Sequence, residues 1–277
     1  MATLLITGVS GYVGQAVAPL AAAAFASVVG AYFRHPPVDS LEGVSGVRAA
    51  IEEVPALIRA QRPDVVLHTA AAWRTEEEAQ AVIVNGTHGI AGACAETNAR
   101  LVHLSTDLVF DGEHGPYSET DAPAPVNFYG AAKAEAERIV ATSVHKAVIV
   151  RTSLVTCFDP PDPRTQPILA ALRGEREPVT LFTDEYRCPV RTEDLAAALV
   201  ELAAHDFTGI LHVAGPERLS RHELGLRIAA YQGLDPAAGV RAGPAATSGM
   251  VRPRDCSLRI DLARRILRTP LHPLPKP

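Results

Sequence analysis

The chain has 277 residues, of which 47% are hydrophobic and 21% charged, and its formal net charge is −5. These values are typical of an ordinary globular protein with one large core or two modest lobes. No apolar run approaches the roughly 18 residues of a membrane span, so the sequence argues against membrane insertion. Its acidic balance and few aromatic residues argue against nucleic acid as a partner.

Two further features bear on the cellular environment. The sequence enters its first strand without a signal-type segment, so we expect a cytoplasmic protein. Four cysteines are scattered along the chain with no CxxC and no paired histidine spacing, which predicts neither a disulfide framework nor a metal site. They are Cys94, Cys157, Cys188 and Cys256.

A glycine-rich run, GVSGYVG, follows the first predicted strand and precedes a predicted helix. The strand covers residues 3–7, and the Ala-rich helical pattern covers residues 15–26. Glycines at such a junction let the chain turn tightly, let a pyrophosphate approach the backbone, and let helix pack closely on strand. The run therefore predicts a dinucleotide site. The residues we assign to it are Gly8, Ser10, Gly11, Tyr12, Val13 and Gly14.

Strands and helices then alternate up to residue 151. Apolar, β-branched runs predict strands, and amphipathic stretches between them predict helices. This alternation predicts an α/β fold, a doubly wound parallel sheet of the Rossmann type, with ligands at the carboxyl ends of the strands. The predicted strands are 27–33, 65–68, 101–105 and 147–151, and the helices are 51–62, 76–98 and 131–143.

The pattern becomes irregular after residue 151. Residues 158–166 and 180–189 are expected to lack regular structure, and residues 235–249 form a Gly/Ala/Pro-rich stretch. Helices are predicted at 193–204, 221–231 and 261–267, and a strand at 209–214 that can rejoin the sheet. We therefore expect an NAD(P)-binding Rossmann domain over residues 1–155, rejoined by about 190–215. A smaller, discontinuous substrate lobe would cover 156–189 and 216–268, followed by an extended or loose proline-rich tail at 269–277.

Tyr129 and Lys133 are the main candidates for chemistry. They lie one helical turn apart, on the same face of the predicted helix. An ammonium beside a phenol stabilises the phenolate, which makes tyrosine a usable acid–base group. Ser105, Thr106 and Asp107 follow a predicted strand, and a hydroxyl there can hydrogen-bond a substrate carbonyl alongside Tyr129. The spacing alone is also compatible with an amphipathic helix and a solvated lysine.

At this point the sequence resembles the extended short-chain dehydrogenase/reductase superfamily, and within it the dTDP-4-dehydrorhamnose reductase family. The resemblance spans nearly the whole chain, and the block from Ser105 to Lys133 is its most specific part. The motifs that carry it are GVSGYVG, RPDVVLHTAAA, STDLVFDGEHGPYSETDAPAP, YGAAK and RTSLV, with weaker similarity in GILHVAGPERLSRHELG and RPRDCSLR.

The resemblance implies an NAD(P)-dependent oxidoreductase that reduces the keto group of a small molecule, most simply a 4-keto nucleotide sugar. Thr106 would orient the ketone, Tyr129 would protonate its oxygen and also contact the cofactor, and Lys133 would bind the nicotinamide ribose and tune Tyr129. Asp107 would help to position a sugar ring. A homodimer is also implied, because such packing is common in the superfamily.

The end of the second strand favours NADPH over NADH. An acid there accepts hydrogen bonds from the ribose hydroxyls, whereas a cation accommodates a 2′-phosphate. This sequence has Arg34 and no acid until Asp39, so Arg34 is the predicted phosphate ligand, with NADH as the alternative cofactor. Three small residues would let the nicotinamide ribose lie close to the backbone, namely Ala70, Ala71 and Ala72.

The sequence departs from the family pattern where the substrate would bind. Leu154 stands in place of a tryptophan, the usual Asn-Phe pair has no counterpart in 159–169, and 43–51 lacks the usual acid near the adenine. Tyr186, Arg187 and Arg252 are candidate contacts for a diphosphate or a sugar.

Two other functions remain open from the sequence. One is a nucleotide-sugar epimerase or dehydratase on the same fold, although Leu108 stands where a dehydratase usually has Glu after the strand-end Asp. The other is a non-catalytic, NAD(P)-binding regulatory subunit. Intact Tyr129 and Lys133 favour an enzyme, whereas the weakened sugar pocket favours the regulatory alternative.

Overall fold

The computed structural model describes residues 2–36 and 42–276; the predicted landmark Asp39 lies outside these ranges. Seven parallel strands form the central sheet in the order β11-β6-β5-β4-β1-β2-β3. The predicted doubly wound parallel sheet is therefore confirmed. Its strands are β1 Thr3–Thr7, β2 Ser27–Tyr32, β3 Val44–Arg48, β4 Val65–His68, β5 Arg100–Thr106, β6 Ala147–Thr152 and β11 Gly209–His212.

Helices cover both faces of the sheet. Those of one face are α1, α7 and α9, whose apolar residues share a core with Leu4, Leu67 and Val102. Those of the other face are α2, α4 and α5, which pack over Leu5 and Leu101. Neighbouring residues of a strand point to opposite faces, so the continuous apolar runs of β1 and β5 serve both cores. The helices are α1 Tyr12–Ala24, α2 Val54–Gln61, α3 Glu76–Ala79, α4 Gly86–Thr97, α5 Phe128–Ser143, α6 Thr165–Leu172, α7 Thr192–Ala203, α8 Arg221–Tyr231 and α9 Asp261–Ile266.

Most predicted elements are observed within a few residues, but the helix predicted at 76–98 is not uniform. Between α3 and α4 the chain forms a π-helical segment, Gln80–Asn85, before the α-helical pattern resumes. The longest helix is α5, with 16 residues. Within the described ranges, no helix combines the length and the apolar character needed to cross a bilayer.

The second half of the chain is more regular than its sequence suggests. Helix α6 falls partly in the stretch expected to be irregular, and three two-stranded pairs join distant segments. Such strands are invisible to local patterns because each is short and its partner lies up to about 60 residues away. The pairs are β7 Val155–Thr156 with β10 Val190–Arg191, β8 Val179–Phe182 with β13 Val240–Gly243, and β9 Tyr186–Arg187 with β12 Leu219–Ser220.

The proline-rich tail is expected to be extended or loose; its described part has no helix or strand and is anchored by hydrogen bonds. The Thr269 backbone N–H and hydroxyl donate to Glu201, at 2.8 and 2.6 Å. The His272 N–H donates to Asp194 at 2.7 Å, and Leu274 is buried. Two carboxylates on α7 therefore hold a segment whose composition alone suggests mobility.

Close approach of backbone explains the glycine loop. Gly8 has φ +71°, and a side chain there would also lie 2.8 Å from the Cα of Ala70. At Gly14, inside α1, a Cβ atom would lie 2.2 Å from the carbonyl oxygen of Gly8. The first contact joins the loops after β1 and β4, and the second seats α1 against the end of β1.

We predict that Gly14→Ala lowers the free energy of unfolding by about 1–3 kcal/mol, the usual cost of overpacking. Gly92, inside α4, is the matched control, because a Cβ there meets nothing within 4 Å. Gly92→Ala should leave stability unchanged or raise it by up to about 1 kcal/mol, since alanine favours helix. Urea denaturation measures both variants, and equal effects would contradict the packing explanation.

Candidate functional site

Two neighbouring cavities open at the carboxyl ends of the strands. The first has a volume of about 490 Å³ and lies between the start of α1, the end of β5 and the C-terminal half of the chain. The second, of about 310 Å³, lies beyond the ends of β1 and β2. Gly11, Thr69 and Ala71 line both, so the two cavities adjoin along the glycine loop.

The start of α1 faces the first cavity. Its N-cap residue, Gly11, is extended and offers no side-chain acceptor to the first turn, and Tyr12, Val13 and Gly14 line the cavity wall. N–H groups at a helix start have no partner within the helix, so they suit an anionic phosphate. The Tyr12 hydroxyl is hydrogen-bonded to Thr192 at 2.8 Å, which fixes α1 relative to α7. This backbone arrangement fits the pyrophosphate of a dinucleotide.

Tyr129 and Lys133 project from the first two turns of α5 into the same cavity. The half-buried Tyr129 ring packs on Trp73, with centroids 4.7 Å apart. Burial raises the pKa of Tyr129 to about 12, although the charge of Arg164 and a contact with Thr106 act in the opposite direction. The phenol is therefore protonated at neutral pH and can act as a proton donor.

Lys133 is buried beneath Tyr129. Its ammonium donates to the carbonyl oxygen of Leu104 at 2.6 Å. Burial lowers the pKa of Lys133 to about 8, against the nearby charge of Glu137, which raises it. Glu137 lies four residues further along α5, on the same face of the helix. Lys133 is therefore protonated at neutral pH, but it loses its proton at a pH only slightly higher.

Glu137 is itself held in a buried network. It accepts a hydrogen bond from the Ser105 hydroxyl at 2.5 Å and pairs with Arg151 at 2.7 Å. Arg151 is 1% exposed, and its guanidinium also lies over the Phe110 ring at 5.0 Å. A buried carboxylate is tolerable only with such partners. Sequence reasoning looked for residues that contact a ligand. It therefore missed both members of this pair, which do not line the cavity.

Buried histidines extend the polar layer along the sheet. Thr7, His68 and His103 are register partners on three adjacent strands. His68 is hydrogen-bonded to Thr7 at 2.7 Å and to Thr87 at 3.1 Å. Burial, with the charge of Lys133, lowers the pKa of His68 to about 3 and moves that of His103 in the same direction. Both imidazoles are therefore neutral and add no charge beside the lysine.

The strand-end pair Thr106 and Asp107 also lines the first cavity. The Thr106 hydroxyl donates to Asp107 at 3.2 Å, and Ser153 donates to the other carboxylate oxygen at 2.6 Å. Burial raises the pKa of Asp107, and the Arg187 guanidinium 3.6 Å away opposes that shift. Protein groups therefore already engage the carboxylate that was predicted to contact a sugar.

A cluster of four arginines and one glutamate, the arginine cluster, forms the far wall of the first cavity. Its members are Arg164, Glu185, Arg187, Arg221 and Arg252. Glu185 pairs with Arg187 at 3.4 Å and with Arg252. Burial would raise the pKa of Glu185, but these two guanidiniums outweigh it and hold the carboxyl ionised.

Two members of the arginine cluster remain available to a ligand. Among residues 2–36 and 42–276, no carboxylate lies within 4 Å of the guanidinium of Arg164 or Arg221. Burial, despite Glu185, lowers the pKa of Arg221 to about 10. Sequence reasoning missed both residues and Glu185, because they come from three separate segments that only the fold brings together. The free charges make this wall suitable for an anion.

Of the four predicted substrate contacts, Asp107, Arg187 and Arg252 line the cavity but Tyr186 does not. Tyr186 and Arg187 are neighbours in β9, so their side chains point to opposite faces. The Tyr186 ring instead lies under Arg218, 3.5 Å from its guanidinium carbon. Tyr186 is therefore not part of the candidate site.

The second cavity contains the other predicted cofactor contacts. Gly8, Ser10, Arg34 and residues 70–72 all line it. Two acids that sequence reasoning did not assign are also present. Glu52 follows β3, just beyond the stretch noted for lacking an acid, and Glu78 lies in α3, 3.4 Å from Arg34.

Comparison with known proteins assigns the chain to a family. The model of the RmlD substrate binding domain matches residues 1–274. The chain belongs to this family. Membership confirms the predicted resemblance and the predicted class, an NAD(P)-dependent oxidoreductase.

Two relatives span different shares of the chain. The dTDP-4-keto-6-deoxy-D-glucose reductase of Streptomyces niveus is 31% identical over 277 residues, which cover 96% of this chain and 92% of that protein. Methionine adenosyltransferase 2 subunit beta of Danio rerio is 29% identical over 191 residues, 64% of this chain and 58% of that one.

Solved structures agree with the fold. A hypothetical dTDP-4-dehydrorhamnose reductase from Sulfolobus tokodaii superimposes with a TM-score of 0.82 at 30% identity, covering 99% of this chain and 98% of its own. The dTDP-4-dehydrorhamnose reductase of Bacillus anthracis, solved in complex with NADP, gives 0.79 at 24% identity and covers 98% and 95%.

We predict that Glu137→Gln lowers the free energy of unfolding by about 3–5 kcal/mol, because it leaves the buried Arg151 charge without its partner. Glu135→Gln is the control on the same helix, since Glu135 pairs with Arg138 at the surface. It should change stability little. Urea denaturation compares the two, and a loss that is equal in both would contradict the role of the buried pair.

Proposed function

We propose that the protein is an NADPH-dependent reductase of a 4-keto nucleotide sugar. One observation carries the proposal: a protonated tyrosine, a buried lysine and a strand-end hydroxyl share a cavity with two arginines that have no carboxylate partner among the described residues. The tyrosine, the lysine and the hydroxyl suit a ketone, and the two arginines suit a diphosphate. The relatives that are reductases have names that specify a keto sugar joined to a nucleoside diphosphate, so their substrates carry both features.

Tyr129 is the proposed proton donor. Hydride comes from the nicotinamide when the cofactor is bound. The ketone oxygen gains negative charge as its carbon is reduced, and the Tyr129 hydroxyl delivers the proton that neutralises it. Thr106, at the end of β5, orients the carbonyl by turning towards it the single hydroxyl proton that it otherwise donates to Asp107. Trp73 covers the Tyr129 ring, 44% of its own surface remaining exposed, and limits access of water to the phenol.

Lys133 supports this step through its charge. The ammonium stabilises the phenolate left after proton transfer, which lowers the energy of the transition state. The same group would donate to a hydroxyl of the nicotinamide ribose. Glu137 keeps the ammonium protonated by opposing the effect of burial on its pKa.

The arginine cluster is the proposed site for the diphosphate of the substrate. Guanidinium groups bind phosphate oxygens through paired N–H donors, and partial burial strengthens the interaction. Glu185 orients Arg187 and Arg252, while Arg164 and Arg221 contribute the free charges. Leu154, which also lines this cavity, replaces the aromatic residue usual beside the sugar. We therefore propose the class of substrate and not a particular sugar.

Arg34 supports NADPH as the cofactor. It lines the second cavity and comes from the loop after β2, where a cation accommodates a ribose 2′-phosphate. The side chain is 55% exposed, so it can move towards a bound phosphate.

We predict that Tyr129→Phe reduces kcat by about 10²–10⁴-fold, the range for loss of a general acid. The dissociation constant of NADPH should change much less than kcat, because Tyr129 is one of many predicted cofactor contacts. NADPH absorbance, followed with a panel of 4-keto nucleotide sugars, measures turnover. Tyr186→Phe is the matched control and should retain full activity, since Tyr186 lies outside both cavities.

The same experiment tests the alternatives. Tight NADPH binding without turnover of any carbonyl in the panel would overturn the reductase proposal and favour a regulatory subunit. Conversion of a nucleotide sugar to its epimer without net cofactor consumption would favour an epimerase.

We predict that kcat/KM for NADPH falls as the pH rises above about 8. This parameter reports the free enzyme. The pKa of Lys133 is lowered to about 8, so its ammonium is lost progressively above that pH. In Glu137→Gln the inflection should move to lower pH, because the carboxylate that raises this pKa is gone. If the inflection does not move in Glu137→Gln, it belongs to a group other than Lys133.

A further inference from the structure

The arginine predicted to select NADPH is paired with an acid across the second cavity. Arg34 lies after β2, and Glu78 lies in α3; their nearest side-chain atoms are 3.4 Å apart. The two residues come from elements 44 positions apart in the chain, so the pair exists only in the folded protein.

Glu78 is the fixed member of the pair. Its side chain is 18% exposed, compared with 55% for Arg34. Its second oxygen accepts a hydrogen bond from the Arg74 backbone N–H at 2.8 Å, and its own N–H is capped by Thr75 at 3.2 Å. Glu76 and Glu77 precede it in α3, but only Glu78 lines the cavity. The structure therefore holds the Glu78 carboxylate at a defined position beside an exposed guanidinium.

The two groups favour different ribose chemistries. A carboxylate accepts hydrogen bonds from the vicinal hydroxyls of an unphosphorylated ribose, whereas a guanidinium binds a 2′-phosphate. A 2′-phosphate at Arg34 must separate the ion pair and lies close to the negative charge of Glu78. An unphosphorylated ribose meets Glu78 and leaves the ion pair in place.

We infer that Glu78 is a specificity-determining residue: it supports binding of the NADH ribose and limits the preference for NADPH that Arg34 provides. The inference rests on the proposed dinucleotide site. Glu78 would thus have the role that an acid at the end of the second strand usually has, although Glu78 comes from another element.

The test measures dissociation constants of NADPH and NADH by fluorescence titration, with no substrate present, for the wild type and Glu78→Gln. The amide oxygen of glutamine can still accept from Arg74, so the loop should keep its shape. We expect NADPH to bind more tightly and NADH less tightly, each by roughly tenfold, as for one charge-assisted hydrogen bond in a partly exposed site.

Two variants serve as controls. Glu77→Gln removes a neighbouring charge that does not line the cavity, and both dissociation constants should stay unchanged. Arg34→Ala should weaken the binding of NADPH and leave the binding of NADH unchanged. In the Arg34→Ala/Glu78→Gln double variant, the loss of NADH affinity should persist, because Glu78 would contact the ribose directly.

The outcomes separate this inference from the proposed function. If neither cofactor binds the wild type, the proposed function fails. If both bind but the ratio of their dissociation constants is the same in the wild type and Glu78→Gln, the site stands and the role of Glu78 is wrong. An equal shift in Glu77→Gln would also overturn it, since general surface charge would then explain the effect.

Discussion

The burial of the Lys133 ammonium is the constraint on which the candidate site depends. A charge removed from water is costly unless hydrogen bonds and opposite charges surround it. Here the Leu104 carbonyl oxygen accepts its hydrogen bond, and Glu137 supplies the opposite charge from the next turn of α5. Glu137 in turn requires Arg151 and Ser105. The polar layer between the sheet and α5 thus ties strands β5 and β6 to the helix that carries Tyr129.

This layer couples the fold to the chemistry in the first cavity. Burial raises the pKa of Tyr129, which is protonated at neutral pH, while burial and Glu137 act in opposite directions on the pKa of Lys133. Burial also keeps the neighbouring imidazole of His68 neutral. All three effects follow from packing, so the core sets the acid–base properties of the site.

The cavities also show how the protein divides recognition between segments. The glycine loop contributes backbone N–H groups at the start of α1, where no side chain caps the helix. The C-terminal half contributes charge through the arginine cluster, in which Glu185 holds two guanidiniums while Arg164 and Arg221 lack carboxylate partners among the described residues. At the opposite end, Arg34 and Glu78 place opposite charges beside one another. In the proposed site, backbone geometry would serve a common pyrophosphate, and side-chain charge would serve the groups that distinguish ligands.

The sequence by itself determined what depends on local spacing. The strand, glycine loop and helix at the N-terminus, and the helical turn that aligns Tyr129 with Lys133, are set by neighbouring residues. Tertiary structure alone decided which distant groups meet. Alternation along β9 turns Arg187 towards the cavity and Tyr186 away from it, while Arg221 and Glu78 reach the two cavities from elements with no sequence signal for that role. Short strands such as β8 and β13, and the anchored tail, likewise depend on partners far along the chain, which no local pattern encodes.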